Sequence, residues 1–293
     1  MKITPLAAES MGTRSMSTFV ETEDCRVLID PGANVGAFRY GFPPHPLERW
    51  CLQKHRERIQ IFAQSADVVI ITHYHFDHFI PDAPDLYQDK TLLVKNPNQR
   101  INVHQRNRAF KFLKLIRGLP NEVSYIDGRA LRFGETRIVF SDPVPHGATE
   151  KMGFVVQVAL QDERETFLYS SDIQGPCRED PVDFILSQNP EFLYLDGPVT
   201  YLQGDSSEKE PLEKTLERME MIIDKTKVIK VIVDHHLLRD LQWRENIEPL
   251  YAVTHQRGVL IQTAAEFRGE ENNLLEARRK QLYEDDLSEK TRG

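Results

Sequence analysis

Apolar positions along this chain gather into short runs, each closed by Gly, Pro, Asp or Asn, which is the spacing of buried strands. The runs lie at 17–22 (STFVET), 26–30 (RVLID), 67–72 (DVVIIT), 91–95 (TLLVK), 136–140 (TRIVF), 153–160 (GFVVQVAL), 166–172 (TFLYSSD), 191–197 (EFLYLDG), 228–234 (VIKVIVD) and 258–263 (GVLIQT). In the first half they follow one another closely, which predicts a meander with few helices. Helical spacing interrupts them at 46–64, opening on Pro46 and carrying Leu47, Trp50, Ile59, Ile61 and Phe62, and at 103–117, with Val103, Phe110, Leu113 and Ile116. The clearest helix spans 208–226, where Leu212, Leu216, Met219 and Ile223 step by three or four. Ser207 and Glu210 form a capping-box pattern ahead of it, and Pro211 falls in the tolerated first turn. A further helix is expected from Asp240 to Gln256, disturbed by Pro249, and the charged stretch 270–293 reads as a surface helix fraying into a tail. Neither an internal repeat nor a linker divides the chain. The expectation is one α/β domain over 1–293, two β-sheets covered by helices.

Composition narrows the class. With 40% hydrophobic and 28% charged residues the chain is globular, and a net charge of −8 argues against a surface that is wholly a nucleic-acid sleeve. Cys25, Cys51 and Cys177 stand far apart with no CxxC pair, which suits a reducing compartment and excludes a cysteine-based zinc site. The opening MKITPLAAESMGTRSM lacks the apolar core of a signal peptide, and no segment nears the roughly 20 apolar residues that cross a bilayer. A cytoplasmic protein is expected.

The concentrated chemistry is THYHFDHF, residues 72–79, directly after an apolar run. A buried strand end has no use for so many polar groups unless hydrogen bonds or a metal satisfy them. His73 and His75 are two apart and can point the same way from an extended chain, while Asp77 and His78 follow in a turn and aim elsewhere nearby. The segment thus offers a His pair to one metal and an Asp–His pair to a neighbour. Imidazole and carboxylate without thiolate suit Zn²⁺, Mn²⁺ or Fe²⁺. Completion must come from other strand ends, where His146, Asp172, His235 and His236 stand. Asp172 is the natural bridge, because a carboxylate can span two cations and a neutral imidazole cannot.

Each residue also has a plainer reading. HYHFDH could be a surface turn, His146 a loop histidine beside Pro145, and Asp172 a helix N-cap before IQGP. Asp30 is expected to stabilise a turn or stand behind a ligand rather than bind metal. His45, His55, His104 and His255 are expected to be ordinary surface or partly buried histidines, and SMGTRS an early turn.

HxHxDH after an apolar strand resembles the signature of the metallo-β-lactamase superfamily, and RVLIDPG, with Asp30 and Gly32, resembles its early strand-and-turn element. More narrowly, YGFPPH, ITHYHFDH, PVPHG, SSDIQGP and VDHHLLRD resemble a mainly archaeal branch of predicted metal-dependent hydrolases, a UPF group, nearly end to end. The resemblance implies a four-layer αββα fold holding two divalent ions, with Zn²⁺ first and Mn²⁺ or Fe²⁺ as alternatives. It assigns His73, His75 and His146 to one metal, Asp77, His78 and a C-terminal His to the other, and Asp172 as bridge. Asp234 stands where the superfamily has Thr before that last His, which favours His235 over His236. Asp234 or His236 is then left to stand behind a ligand or act on the leaving group. The implied reaction is attack by a metal-bridging hydroxide, with Asp77 orienting it and the spare histidine of the 235/236 pair protonating the leaving group.

Between Lys90 and Arg117 lie Lys95, Arg100, Arg106, Arg108, Lys111 and Lys114 with no acidic residue among them. A solvated helix face is slightly favoured, against a patch drawing phosphate or nucleic acid toward the metals. The leading function is hydrolysis of a phosphoester or another anionic ester of a small-molecule or phosphorylated substrate. A lactonase acting on a sugar-acid-like ester competes with it, as does a non-catalytic metal- or nucleic-acid-binding scaffold. Such a scaffold is expected to have lost a ligand, and none is missing. A homo-oligomer is compatible with this reading, and a membrane role is not expected.

Overall fold

The computed structural model describes residues 1–201 and 212–292. One sheet runs β1 (Lys2–Pro5), β2 (Thr18–Glu21), β3 (Arg26–Ile29), β4 (Val68–Ile71), β5 (Thr91–Val94) and β6 (Glu122–Tyr125) in that spatial order. Only β1 to β3 form a meander. From β3 to β6 the strands are parallel, with α1 (Pro46–Ser65) and α2 (Val103–Leu115) in the crossovers, which corrects the expected meander. Runs buried on both faces, such as Val68–Ile71, are what parallel strands with covered faces require.

The second sheet holds β7 (Ala130–Phe133) and β8 (Thr136–Phe140) at one side, while β9 (Val144–Pro145) and β10 (Phe154–Val155) form a separate ribbon. The same sheet continues through β11 (Val158–Gln161), β12 (Thr166–Tyr169), β13 (Phe192–Asp196), β14 (Lys230–Asp234) and β15 (Leu260–Gln262). The run 153–160 is therefore two strands, not one, because the chain leaves the β9 ribbon at Val155 and joins β8 from Val158. Strands β12 to β15 are parallel, so their carboxyl ends share one edge.

Alternate residues divide three cores. Val27, Ile29, Val68 and Ile70 meet Ile138, Phe140, Val158 and Tyr194 between the sheets. Leu28, Val69 and Ile71 pack outward on α1 and α2 through Ile59, Ala63, Ala109 and Phe112. Leu193, Leu195, Val231 and Val233 pack outward on α3 (Glu179–Gln188) and α4 (Leu212–Lys225) through Ile185, Leu216, Met219 and Ile223. The four layers of an αββα sandwich follow.

The helix expected over 240–256 is two pieces, α5 (Trp243–Asn246) and α6 (Leu250–Arg257), with Pro249 at the N-cap of the second. The capping box at Ser207 and Glu210, with Pro211, lies outside the described residues; α4 is described from Leu212. After α7 (Ala264–Phe267), α8 (Arg279–Arg292) is docked at its start instead of being a wholly surface element, since Leu275, Arg279 and Leu282 are buried. Arg279 binds both Glu48 oxygens at 2.7 and 2.6 Å and the Gly36 and Phe42 carbonyls at 2.8 and 3.2 Å. His45 and His55 are buried, not superficial: His45 caps α1 and His55 Nδ1 lies 2.7 Å from Thr13 Oγ1. His104 and His255 are exposed.

Candidate metal centre

The carboxyl ends of parallel strands in both sheets converge on one place, the position where open α/β sheets bind ligands. The chain past β4 delivers His73, His75, Asp77 and His78, past β9 His146, past β12 Asp172, and past β14 His235 and His236. Asp172 lies at the middle. Its Oδ2 is 2.7 Å from His146 Nε2, 3.6 Å from both His78 Nε2 and His235 Nε2, and 3.8 Å from His73 Nε2. His73, His75, His146 and Asp172 bring ligand atoms within 4.8 Å of one another, and so do Asp77, His78, Asp172 and His235. The structure thus brings together, from different strands, the side chains that the sequence reading grouped.

Local backbone conformation aims these groups. Asp30, Ser171 and His235 have φ of +46°, +58° and +61°, a left-handed conformation that non-glycine residues adopt only where surroundings impose it. A Cβ on Gly32 would collide with the backbone of His78 and Phe79, so the turn after β3 can press against the HxHxDH loop only with glycine there. Asp30 Oδ1 accepts from Thr72 N at 2.8 Å. Its Oδ2 accepts from Thr72 Oγ1 at 2.6 Å and Tyr169 OH at 2.8 Å, and lies 2.7 Å from His78 Nδ1. This arrangement turns His78 Nε2 inward, as a carboxylate behind a ligating imidazole does. From α2, Gln105 Oε1 accepts from Tyr74 N at 3.3 Å and Arg108 Nη1 donates to the Tyr74 carbonyl at 3.3 Å, steadying the chain between His73 and His75.

The donor set fits divalent cations. Among the described residues, His73 Nε2 and His78 Nε2 are buried without a hydrogen-bond partner, a costly state that a metal would relieve. Burial, with neighbouring imidazoles adding to it, drives the pKa of His73 well down and that of His75 to about 3, so both keep free lone pairs. Burial, then the Arg239 guanidinium, lowers His235 to about 3. Burial would raise Asp77 and Asp172, but surrounding histidines outweigh it and hold both carboxylates ionised.

His236 sits apart from the second cluster, its Nδ1 3.1 Å from Asp172 Oδ1 and 3.0 Å from Asp196 Oδ1. Asp234 is a brace and is not aimed at a leaving group. Its Oδ1 accepts from Ser10 N and His235 N at 3.1 and 2.7 Å, and its Oδ2 from Ala264 N at 3.0 Å. Two cations of the basic stretch also drop out: Lys90 donates to the Ala66 carbonyl, and fully buried Lys95 pairs with Asp127 at 3.0 Å. Asp196, Glu9 and Arg239 were not anticipated. Asp196 closes a strand just as Asp172 does, and that shared position was the available signal.

Comparison with known proteins places the fold and site in a class. Residues 12–222 match the family model of the metallo-beta-lactamase superfamily. The isothiocyanate hydrolase from Delia radicum gut bacteria shares the fold at TM-score 0.54, with 19% identity over 86% of this chain and 95% of that one. YhfI from Bacillus subtilis does so at 0.57, with 15% identity over 89% and 95%. The class is thus that of metal-dependent hydrolases. A UPF0282 protein of Metallosphaera sedula is 46% identical over 98% of this chain and 94% of its own length. The chain belongs to the UPF0282 family of the metallo-beta-lactamase superfamily. Among the described residues no helix is long and apolar enough to cross a membrane.

Proposed function

We propose that this hydrolase cleaves a phosphoester or another anionic ester at a centre for two divalent ions, Zn²⁺ first among them. The observation carrying the proposal is the convergence of four imidazole Nε2 atoms on Asp172 Oδ2 within 2.7–3.8 Å. His73, His75 and His146 would hold one ion and Asp77, His78 and His235 the other, with Asp172 common to both groups. Bound there, the ions supply a hydroxide at neutral pH and stabilise the oxyanion that develops on attack. The protein's own part is positioning and proton transfer. Asp77, about one-fifth exposed, orients the attacking group at the mouth of the site. Burial opposes protonation of His236, but Asp196 and then Asp172 outweigh it and raise its pKa to about 10, so it carries a proton at neutral pH and is assigned to the leaving oxygen.

Support for an anionic substrate comes from charge. Arg106, Lys111, Lys114 and Arg117 on and just beyond α2 are exposed, and Arg108 lies 4.4 Å over the ring of Phe76, between His75 and Asp77. The deciding experiment gives metal-reconstituted protein bis-p-nitrophenyl phosphate, lactones and single-stranded RNA. Turnover of a phosphodiester, abolished by His75→Ala and Asp77→Asn in protein that still folds, is expected. Turnover of lactones alone would overturn the phosphoester reading.

A further inference from the structure

Arg239 ends the single turn His235–Arg239 after β14 and is 4% exposed. Its Nε donates to Glu9 Oε2 at 3.2 Å and its Nη1 to Tyr201 OH at 3.2 Å. Its Nη2 lies 3.2 Å from His235 Nε2, the nitrogen that faces Asp77 and Asp172 at 3.8 and 3.6 Å. The guanidinium therefore borders the second half-site directly.

Two other arginines of this chain show what a purely structural pair looks like here. Arg14 grips Glu276 through Nε and Nη2 at 2.6 and 2.5 Å, and Arg279 grips Glu48 through the same two nitrogens at 2.7 and 2.6 Å. Both are fork-on-fork pairs, the geometry in which a guanidinium and a carboxylate satisfy each other. Arg239 meets Glu9 through Nε alone, so the paired face of its fork is not spent on that carboxylate. It is nonetheless held still. Arg39 donates to the Arg239 carbonyl at 2.5 Å and stacks its guanidinium 4.5 Å over the Tyr201 ring, fixing both groups from behind. Among the described residues, the guanidiniums of Arg14, Arg39 and Arg239 share the carboxylates of Glu9 and Glu276 around this point, and Asp77 faces Arg239 from the second half-site.

We propose that Arg239, with Tyr201 beside it, is the anchor for a non-bridging phosphoryl oxygen of the substrate, next to the second half-site. The inference rests on the phosphoester reading above and adds the residue that selects for it. A guanidinium held still at 4% exposure can meet a tetrahedral oxyanion with parallel N–H donors, which a lysine cannot reproduce. No proton or bond changes hands at Arg239; it binds and orients.

The test is titration calorimetry of inorganic phosphate into the zinc-reconstituted full-length protein, with zinc content measured on every sample. Arg239→Lys keeps the charge and loses the fork. The double variant Glu9→Gln/Arg239→Met avoids leaving a buried carboxylate unpaired, so it keeps the test alive should Arg239→Met alone fail to fold. Phosphate is expected to bind at least about tenfold more weakly to the double variant, and by an intermediate factor to Arg239→Lys, at unchanged zinc content. Equal phosphate affinity in all three proteins overturns the proposal. So does a loss of affinity matched by loss of zinc, since Arg239 would then serve the metals. Turnover of bis-p-nitrophenyl phosphate is scored separately: phosphate binding that depends on Arg239 without any phosphodiester turnover refutes the proposed reaction and leaves the anchor standing.

Discussion

His236 Nδ1 lies 3.0 Å from each carboxylate oxygen of Asp196 and 3.1 Å from Asp172 Oδ1, so one ring nitrogen joins the central carboxylate to a second carboxylate behind it. That pairing occupies Nδ1 and leaves Nε2 as the nitrogen to test for proton donation. If His236 donates a proton to the leaving group, His236→Gln should lower kcat/KM about 10²–10⁴-fold on an alkyl phosphodiester. It should have far less effect on p-nitrophenyl esters, whose leaving group needs no proton. Asp196→Asn should reproduce the same selectivity more weakly. Equal losses on both esters would remove His236 from the acid role.

Asp30 is fully buried, aligns His78 and ties the turn after β3 to Thr72 and Tyr169. Asp30→Asn is expected to weaken metal affinity by about 10–100-fold. Competition with a chromophoric chelator measures this directly. Unaltered affinity would reduce Asp30 to a turn residue.

His55 makes acid stability a readable quantity. Burial lowers its pKa to about 3, below the ordinary 6.5, so the unfolded chain binds the extra proton. The stability it contributes is complete above pH 6.5 and is lost as pH falls toward 3. By pH 5 the loss from this group is about 2 kcal/mol. Urea unfolding at pH 7 and pH 5 should therefore show a smaller drop for His55→Gln than for the parent. Matching drops would place the acid sensitivity elsewhere.

The Arg279–Glu48 pair is buried at both ends. Arg279→Met strands the carboxylate and should cost about 3–5 kcal/mol. The double change Glu48→Gln/Arg279→Met should recover most of that loss in the same denaturant titration. A double variant no more stable than the single one would mean that the carbonyls of Gly36 and Phe42, not Glu48, are what Arg279 serves.

Much of the candidate centre was readable from residue order because its proposed ligands sit at strand ends, where an apolar run stops and a polar group begins. His73, His75, Asp77 and His78 form a local pattern, and His146, Asp172 and His235 repeat the strand-end position. Asp196 occupies that position too, but its partner lies 40 residues away and no local spacing marks the pair. Glu9 and Arg239 are separated by 230 residues, and a lone Glu before SMGTRS carries no signal of burial. The mistaken meander has a similar cause. Apolar runs reveal that strands are buried, while their direction is set by what α1 and α2 cross over. Strands β6 and β7 escaped notice because both are half exposed and too polar to form an apolar run.

The clamp around Arg279 also bears on which parts of the chain complete the surroundings of the site. Every proposed ligand is synthesised by residue 235, yet Glu276, which grips Arg14, and Arg279, which closes on Glu48, come more than 40 residues later. Asn273 N further ties this late segment to the Ser10 carbonyl at 2.7 Å. A chain that ended after His235 would carry every proposed ligand and still lack the residues that brace the arginine-lined wall beside them. The part of the chain that braces this wall thus follows every proposed ligand in sequence.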